Sequence, residues 1–516
     1  MSRRRGEAGD GPFDVVVVGS GSAGSVLAAR LSEEPGRRVL LLEAGPDHRA
    51  ADLPDNLRLL SKPIDWPYDW RDRVLSWNDR TLHYGRGRVV GGSSTTNGGV
   101  AMRAEPADFD RWPTGWRWDD LLADLRRLER DLDFGDAPWH GDAGPVPIVR
   151  WPRDEWLPLQ QAFVDGCRAL GFADCPDHNA PGTTGVGPVP MNRDGQLRMS
   201  NLLVYLEPAR HRGNLVIRGD AHVRRVLLEP VRAGTGAAGR DARVVRATGV
   251  ELADGTVVEA GEVVVCAGVV QSPLVLWRSG LGPADAVRAL GVEPLVDLPH
   301  VGAHVTDHYV VTFSTPVDPS IVPDGGPSLQ TILRATAPGS PAERTHDLQL
   351  TPFARRHADG RRELAVSVSL QLPDGEGTIT PASADPDEPA RIVWPFASIA
   401  SNQRRLRDGW RLAAQIALAS GAALDRTVLG RALDTPDREL DDRILAEHTA
   451  FYHGVGTCRM GDDGAGAATS VVDTACRVHG VAGLRVVDAS VIPTVPRSNT
   501  NLAVIGLAEH AARVLW

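Results

Sequence analysis

The sequence predicts an α/β chain in which a doubly wound, Rossmann-like domain is discontinuous and carries an inserted domain built on an antiparallel sheet. Three observations support this. A strand, glycine turn and helix stand near the start; period-two alternation marks segments of residues 305–400; and α/β patterning returns after residue 450. At 516 residues the chain is too long for one core, so two domains are expected.

The apolar run Phe13-Asp14-Val15-Val16-Val17-Val18 meets the turn Gly19-Ser20-Gly21-Ser22-Ala23-Gly24, and residues 25–32 read as a helix. Glu43 stands nineteen residues after Gly24, at the close of Val39-Leu40-Leu41-Leu42. Strand, turn, helix and acid at these spacings make the β-α-β unit that holds a dinucleotide. Gly19 permits the tight turn, Gly21 lets the backbone approach a pyrophosphate, and Gly24 lets helix and strand pack closely. The pyrophosphate sits on the helix N-terminus, where free N–H groups and the dipole favour negative charge. Glu43 accepts from a ribose hydroxyl and repels a 2′-phosphate. This points to FAD or NAD and away from NADP.

Residues 50–156 read as irregular and hold nine of the thirteen tryptophans, including Trp66, Trp70, Trp112, Trp116 and Trp118. That clustering suits a packed lid over a ligand, or plain core filling. Within it runs a second glycine-rich loop, Gly85-Arg86-Gly87-Arg88-Val89-Val90-Gly91-Gly92-Ser93-Ser94-Thr95-Thr96-Asn97-Gly98-Gly99. It offers close backbone approach, many N–H donors and small hydroxyls, as a pyrophosphate or a flat polar ring requires.

A helix is expected near residues 157–170, and strands at 214–218 and 221–228. Residues 244–252 and 256–259 read as a hairpin about Asp254-Gly255, and 262–266 as a separate buried strand. A helix is expected to start near Ser272-Pro273, with proline in its first turn. Residues 309–313, 346–351 and 363–370 alternate as an antiparallel sheet does. Residues 403–419 and 441–449 read as helices, 484–487 as a last strand ending in Asp488, and 501–515 as a last helix. Residues 232–239 read as a flexible loop.

The formal net charge of -10 argues against nucleic acid or an anionic membrane surface as partner. The five cysteines, Cys167, Cys175, Cys266, Cys458 and Cys476, form no C-x-x-C pair, so free buried thiols and a reducing cytoplasm are expected. Arg3-Arg4-Arg5 is followed by polar residues rather than the apolar run of a twin-arginine signal. No run is long enough to span a membrane.

With this second glycine loop, the chain resembles the glucose-methanol-choline (GMC) flavoprotein oxidoreductases. The match runs through Glu43-Ala44-Gly45, through Gly91-Gly92-Ser93-Ser94 with Asn97, and through Gln271-Ser272-Pro273 to Gly282. It continues in Asp307-His308 after Val301-Gly302, in His453-Gly454-Val455-Gly456-Thr457-Cys458-Arg459-Met460-Gly461, and from Asp488-Ala489-Ser490 to Asn501. Val269 is bulkier than the residue usual at its place. The resemblance implies a GMC oxidoreductase fold, with an FAD-binding domain of residues 13–150, 205–304 and 450–516. Residues 151–204 and 305–449 would form the substrate-binding domain.

It also implies roles. His453 stands where the family keeps the base that takes the hydroxyl proton, and an imidazole suits this because its ordinary pKa is near 6.5. Asn499 stands where the family keeps His or Asn; its amide is expected to hold the alkoxide oxygen. FAD contacts are expected from Gly19, Ser20, Gly21, Ser22, Ala23, Gly24, Glu43 and Ala44. Further contacts are expected from Val90, Gly92, Ser93, Asn97, Gly98, Gly99 and Val100, and from Asp488, Ala489, Thr500 and Asn501. The N-terminus of the last helix would stabilise negative charge on the reduced ring. Val223 is expected near the adenine, with core packing as the rival reading. Some members attach FAD through a His at the position of Thr96, so non-covalent FAD is expected here.

His300, His304 and His308 with Asp307 have a metal-like spacing, but Pro299 and Gly302 break any helix, and no metal is expected. The function expected is FAD-dependent oxidation of a small alcohol to an aldehyde or ketone, with hydride to flavin N5 and electrons passed to O₂ or another acceptor. The alternatives are a hydroxynitrile lyase-like enzyme that keeps FAD without net redox chemistry, a NAD dehydrogenase, and a non-enzymatic flavin protein. Neither the alcohol nor the oligomeric state is legible.

Overall fold

The computed structural model describes all residues except 1–11, 62–65, 232–243, 324–325, 328, 422–425 and 463–465. The expectations placed on Arg3-Arg4-Arg5 and on residues 232–239 lie outside the described residues.

A parallel sheet runs Leu215–Arg218, Val39–Leu42, Phe13–Val18, Val257–Val265, Leu484–Val486 in spatial order. Val16, Val17, Leu40, Leu41, Val263 and Val264 are fully buried. An aliphatic run with no polar alternation is what a strand covered on both faces requires. Helix Ser22–Leu31 packs beside the last helix, Thr500–Val514. Arg30 is held to Glu509 at 2.8 Å, and Tyr205 donates to the same carboxylate at 2.7 Å.

One strand does two jobs. Val257–Val265 pairs antiparallel with Val244–Leu252 through Val257, Val258 and Glu259, then parallel with Phe13–Val18 from Ala260 onward. The two strands expected at 256–259 and 262–266 are therefore one, changing partner where its pattern turns from alternating to wholly apolar. Strand Val223–Val231 completes this meander.

The expected helix start at Ser272-Pro273 is corrected. The helix is Gly268–Arg278, and Pro273 lies inside it. Proline brings no N–H to the carbonyl four residues back, which is that of Val269. Thr457 Oγ1 donates to that carbonyl instead, at 2.7 Å, so the proline is tolerated. The first helix likewise begins at Ser22 rather than residue 25, and residues 449–450 pair as a strand rather than extending the helix Asp437–Glu447. Residues 50–156 are less irregular than expected: Asp72–Leu75 pairs with Thr81–Tyr84, and Trp118–Leu128 is a helix.

A second sheet is antiparallel throughout, in the order Thr449–Ala450, Tyr309–Pro316, Arg362–Leu370, Leu348–Arg356, Thr331–Ala335, Gly185–Pro188. Leu348, Leu350, Leu364, Val366, Val368 and Leu370 share one buried face. Helices Pro158–Ala169 and Ala400–Ala419 cover it, with Gly409 set against Val368 and Leu348 where a Cβ would come within 2.5 Å. The opposite face of Leu348–Arg356 and Arg362–Leu370 carries Gln349, Thr351 and Ser367. The architecture is that of a Rossmann-like domain with an inserted antiparallel-sheet domain.

Candidate active site

A cavity of about 690 Å³ opens at the carboxyl ends of the parallel strands and reaches the polar face of the antiparallel sheet. This is where ligands bind in open α/β sheets.

Its first end is backbone. Gly19 has φ +94°, and a Cβ there would lie 2.6 Å from the Cys266 carbonyl oxygen. A Cβ on Gly24 would lie 1.9 Å from the Gly19 oxygen, whereas one on Gly21 would meet no protein atom within 4 Å. Gly21 therefore leaves room for something that is not protein. It caps the helix Ser22–Leu31, whose first N–H groups have no side-chain cap. Gly92, at φ +52°, would place a Cβ 2.6 Å from Gly21 Cα, so the two glycine loops are in contact.

The expected contact residues line the cavity, with four exceptions. Ser20 is fully buried behind it: its hydroxyl donates to Glu43 Oε2 at 2.6 Å and accepts from the Gly91 N–H at 3.1 Å. It ties both loops to the acid and does not face a ligand. Gly24 is pressed against Gly19, as the packing role requires. Val90 is turned inward, its N–H donating to the Pro46 carbonyl at 3.1 Å. Gly99 sits against Leu60 and Asn192. Val223, by contrast, lines the cavity beside His222.

Glu43 also accepts from the Ser20 N–H and the Gly45 N–H, both at 3.0 Å, and burial pushes its pKa up. Asp488 accepts from the Gly268 N–H at 2.8 Å, Ser272 Oγ at 2.5 Å and the Ser490 N–H at 2.7 Å. It thus fixes the start of helix Gly268–Arg278 at the cavity wall. Helix Thr500–Val514 turns its N-terminus to the same space. There Asn501 Oδ1 accepts from Ser22 Oγ at 2.7 Å, and its Nδ2 is buried with no hydrogen-bond partner among the described residues.

The other end is built of side chains. His308 Nε2 lies 2.9 Å from the Pro496 carbonyl, and His308 Nδ1 lies 2.9 Å from His453 Nδ1. A carbonyl only accepts, so His308 carries its proton on Nε2. Burial lowers the His308 pKa to about 3, which leaves its Nδ1 an acceptor. His453 must then carry its proton on Nδ1. Its Nε2 is left with a bare lone pair, 3.1 Å from the Asn499 amide nitrogen. Burial, with His308 and Arg86 nearby, holds His453 well below the ordinary imidazole value, so Nε2 stays unprotonated at neutral pH and accepts from the Asn499 amide.

Asp307 pins His453 from behind. Its Oδ1 accepts from the His453 N–H at 2.8 Å and its Oδ2 from the Tyr84 hydroxyl at 2.6 Å, while burial raises its own pKa to about 7. Asn499 Oδ1 is buried without a hydrogen-bond partner among the described residues. One amide thus offers a donor at the base and a free acceptor beside it. Chemically, this end combines a nitrogen able to take up a proton with an amide able to hold an oxygen atom.

The triplet His300, His304 and His308 does not converge. His300 Nδ1 contacts His304 Nε2 at 2.8 Å, while His308 faces His453. Among the described residues no group of three or more His, Cys, Asp or Glu side chains is placed to hold a metal ion. The sequence reading did not place His308, Asp307, Tyr84 or Thr457 in the site. The Asp307-His308 pair within the family resemblance was the available signal for two of them.

Comparison with known proteins decides the family. The GMC oxidoreductase N-terminal and C-terminal family profiles match residues 13–310 and 373–508. The chain belongs to the GMC oxidoreductases. A 5-(hydroxymethyl)furfural oxidase of a Methylovorus species is 34% identical, over 97% of this chain and 98% of the relative. An oxygen-dependent choline dehydrogenase of Photobacterium profundum is 31% identical, over 97% and 92%. The crystal structure of pyridoxine 4-oxidase from Mesorbium loti superposes with TM-score 0.82 at 29% identity, covering 97% of this chain and 98% of that one.

This GMC oxidoreductase is an FAD-dependent enzyme that oxidises a CH–OH or CH donor and passes the electrons onward, and its FAD is non-covalent. The residues present fit that group. Gly21 leaves a cradle that a Cβ would enter, two helix N-termini face the cavity, and buried amide atoms of Asn499 and Asn501 await partners. Thr96 lines the wall where some members carry a linking His. No helix among the described residues is long and apolar enough to cross a membrane.

Proposed function

We propose that the protein oxidises a small alcohol to an aldehyde or ketone, with His453 as the base and Asn499 as the group that orients the substrate oxygen. The observation that carries this is the hydrogen-bond chain from Pro496 through His308, which leaves His453 Nε2 unprotonated at the cavity. When bound, FAD supplies the acceptor for the hydride that leaves the alcohol carbon. The protein's own part is proton handling. The substrate hydroxyl enters between His453 Nε2 and Asn499, gives its proton to Nε2, and its oxygen keeps the Asn499 N–H as donor. Buried surroundings strengthen both contacts.

The turn at Gly19–Gly24 with Glu43 is assigned the adenosine and pyrophosphate end, and the 450–516 segment the flavin end. The FAD-binding portion is assigned residues 13–150, 205–304 and 450–516, and the substrate-binding portion 151–204 and 305–449. Val223 is assigned a place at the adenine. A cytoplasmic location is supported by five buried free cysteines. The electron acceptor is O₂ or another oxidant.

Anaerobic mixing with an alcohol panel tests the reading. We expect bleaching of the flavin by at least one alcohol, and its loss in His453→Ala. Unchanged rates in that variant would remove the base assignment. A flavin that no alcohol bleaches would favour the lyase reading instead.

A further inference from the structure

We infer that the substrate is an uncharged, elongated alcohol with an apolar body and a second hydrogen-bonding group remote from the reacting carbon, recognised by Gln349 with Thr351 and Ser367. The inference rests on the alcohol-oxidation reading and adds the substrate class.

The antiparallel sheet supplies the wall that faces away from the glycine turns. From its strands and their flanks come Val189, Leu329, Ile332, Phe353, Gln349, Thr351 and Ser367, none of them charged. Gln349 is only 3% exposed, and its Oε1 is buried with no hydrogen-bond partner among the described residues. An unsatisfied buried amide is costly to maintain, and here it lines the cavity where a ligand would satisfy it. Register places Thr351 opposite Ser367 on the same face, two residues along from Gln349. The polar groups therefore form one short stripe.

Distance follows from the sheet order. Thr449–Ala450, the edge strand that leads into His453, pairs with Tyr309–Pro316. The strand of Ser367 is then two spacings from that edge and the strand of Gln349 three, or roughly 10 and 14 Å. The cavity is otherwise lined there by apolar side chains: Phe451 lies beside His453 at 4.7 Å between ring centroids, and Val100, Val189, Leu329 and Ile332 belong to one small apolar cluster. A substrate that reaches from His453 to the stripe meets this apolar lining along its body.

None of the charged residues that line the cavity belongs to the antiparallel sheet. Asp69 accepts from His83 Nε2 at 2.7 Å and from the Arg86 N–H at 2.9 Å. Arg86 stacks on Tyr84 at 4.2 Å, donates to the Tyr452 carbonyl at 2.8 Å and lies 3.9 Å from Asp307 Oδ2, on the base side of the cavity away from the sheet, with its Nε and Nη2 unpartnered by any hydrogen bond among the described residues. Burial raises Asp72 to about 7, against full ionisation. Glu43 and Asp488 accept the bonds described above. A substrate cation or carboxylate reaching the sheet would lose its hydration there without gaining a partner of opposite charge.

The test uses the holoenzyme and four alcohols on one frame: benzyl alcohol, 4-(hydroxymethyl)benzamide, 4-(hydroxymethyl)benzoate and 4-(aminomethyl)benzyl alcohol. Anaerobic flavin reduction is expected to be most efficient with the amide, about tenfold above benzyl alcohol, as one added neutral hydrogen bond gives. Both charged members should fall below benzyl alcohol. Gln349→Leu should remove the amide's advantage, through KM rather than the limiting rate. Gln349→Glu, close in shape, should move preference toward the ammonium member. Preference of the native enzyme for either charged alcohol overturns the proposal, as does an unaltered ranking in both variants. If no member reduces the flavin, perturbation of its visible spectrum on binding gives the same ranking. Amide-first order there would keep this proposal and remove the oxidation reading; any other order overturns the proposal.

Discussion

The two ends of the cavity are built on different principles. At the glycine turn, the groups aimed at a ligand are backbone N–H groups and the space left by a missing Cβ, supplied within Gly19 to Gly24. At the base, the groups are side chains from three distant places: His308, His453 and Asn499, with Pro496 closing the chain. The first end tolerates no added atom where loops cross. The second depends on which nitrogen holds a proton. Binding is therefore written into local backbone geometry and proton transfer into long-range hydrogen bonding.

That contrast breaks most sharply at His453. His453→Ala should slow anaerobic flavin reduction by about 10²–10⁴-fold while the purified variant keeps its yellow colour, because the turn is untouched. Loss of flavin from this variant would show that the two ends are not separable.

The glycine turn should respond in the opposite way. Gly24→Ala forces a Cβ to 1.9 Å from the Gly19 oxygen, and overpacking of this kind costs about 1–3 kcal/mol. Thermal unfolding should show a lower Tm, and flavin content should fall. Gly21→Ala meets no protein atom, so the apoprotein Tm should hold while FAD binding weakens in titration.

His308→Leu sharpens the comparison from the other side. It removes the acceptor that fixes the His453 tautomer without touching the cavity's glycine wall. Reduction should slow roughly 10–100-fold with KM little changed, and the pH profile should shift relative to the native enzyme.

Because His453 and His308 are both held below the ordinary 6.5, native reduction should not lose its base as pH falls to 6.5, only at lower pH. Stability has the same sign. The unfolded chain takes up protons near 6.5, whereas folded His308 resists them until about 3, so stability is full above 6.5 and lost as pH falls through that window. Thermal melts between pH 7 and pH 4 should show it, with a shallower fall in His308→Leu.

The smallest effect belongs to Thr457→Val. It strips the donor from the Val269 carbonyl beside Pro273 and should cost about 1 kcal/mol. A Tm unchanged from native would mean that carbonyl finds another donor.

Much of this was legible beforehand. The strand Phe13–Val18 and the acid Glu43 read plainly because an uninterrupted aliphatic run and a glycine spacing are local signals. Helix Gly268–Arg278 did not, because proline there marked a helix start by rule and its tolerance depends on Thr457, far along the chain. Ser20 and Val90 were expected at the ligand because motif position does not say which way a side chain turns. The strand Val257–Val265 read as two, since its change of partner is a property of its neighbours.

By itself the sequence determined the α/β class and the dinucleotide turn, which rest on periodicity and spacing that the chain carries in any conformation. Its motifs resembled the GMC family, and that resemblance singled out His453 and Asn499 as the candidate catalytic pair. Only the tertiary structure decided that His308 fixes the proton on His453 Nδ1, that Asp307 pins its backbone, and that Gln349 stands unsatisfied in the cavity wall. The reason is physical: a tautomer, a buried pKa and an unmet hydrogen bond are set by what surrounds a group, and those surroundings exist only once the chain has folded.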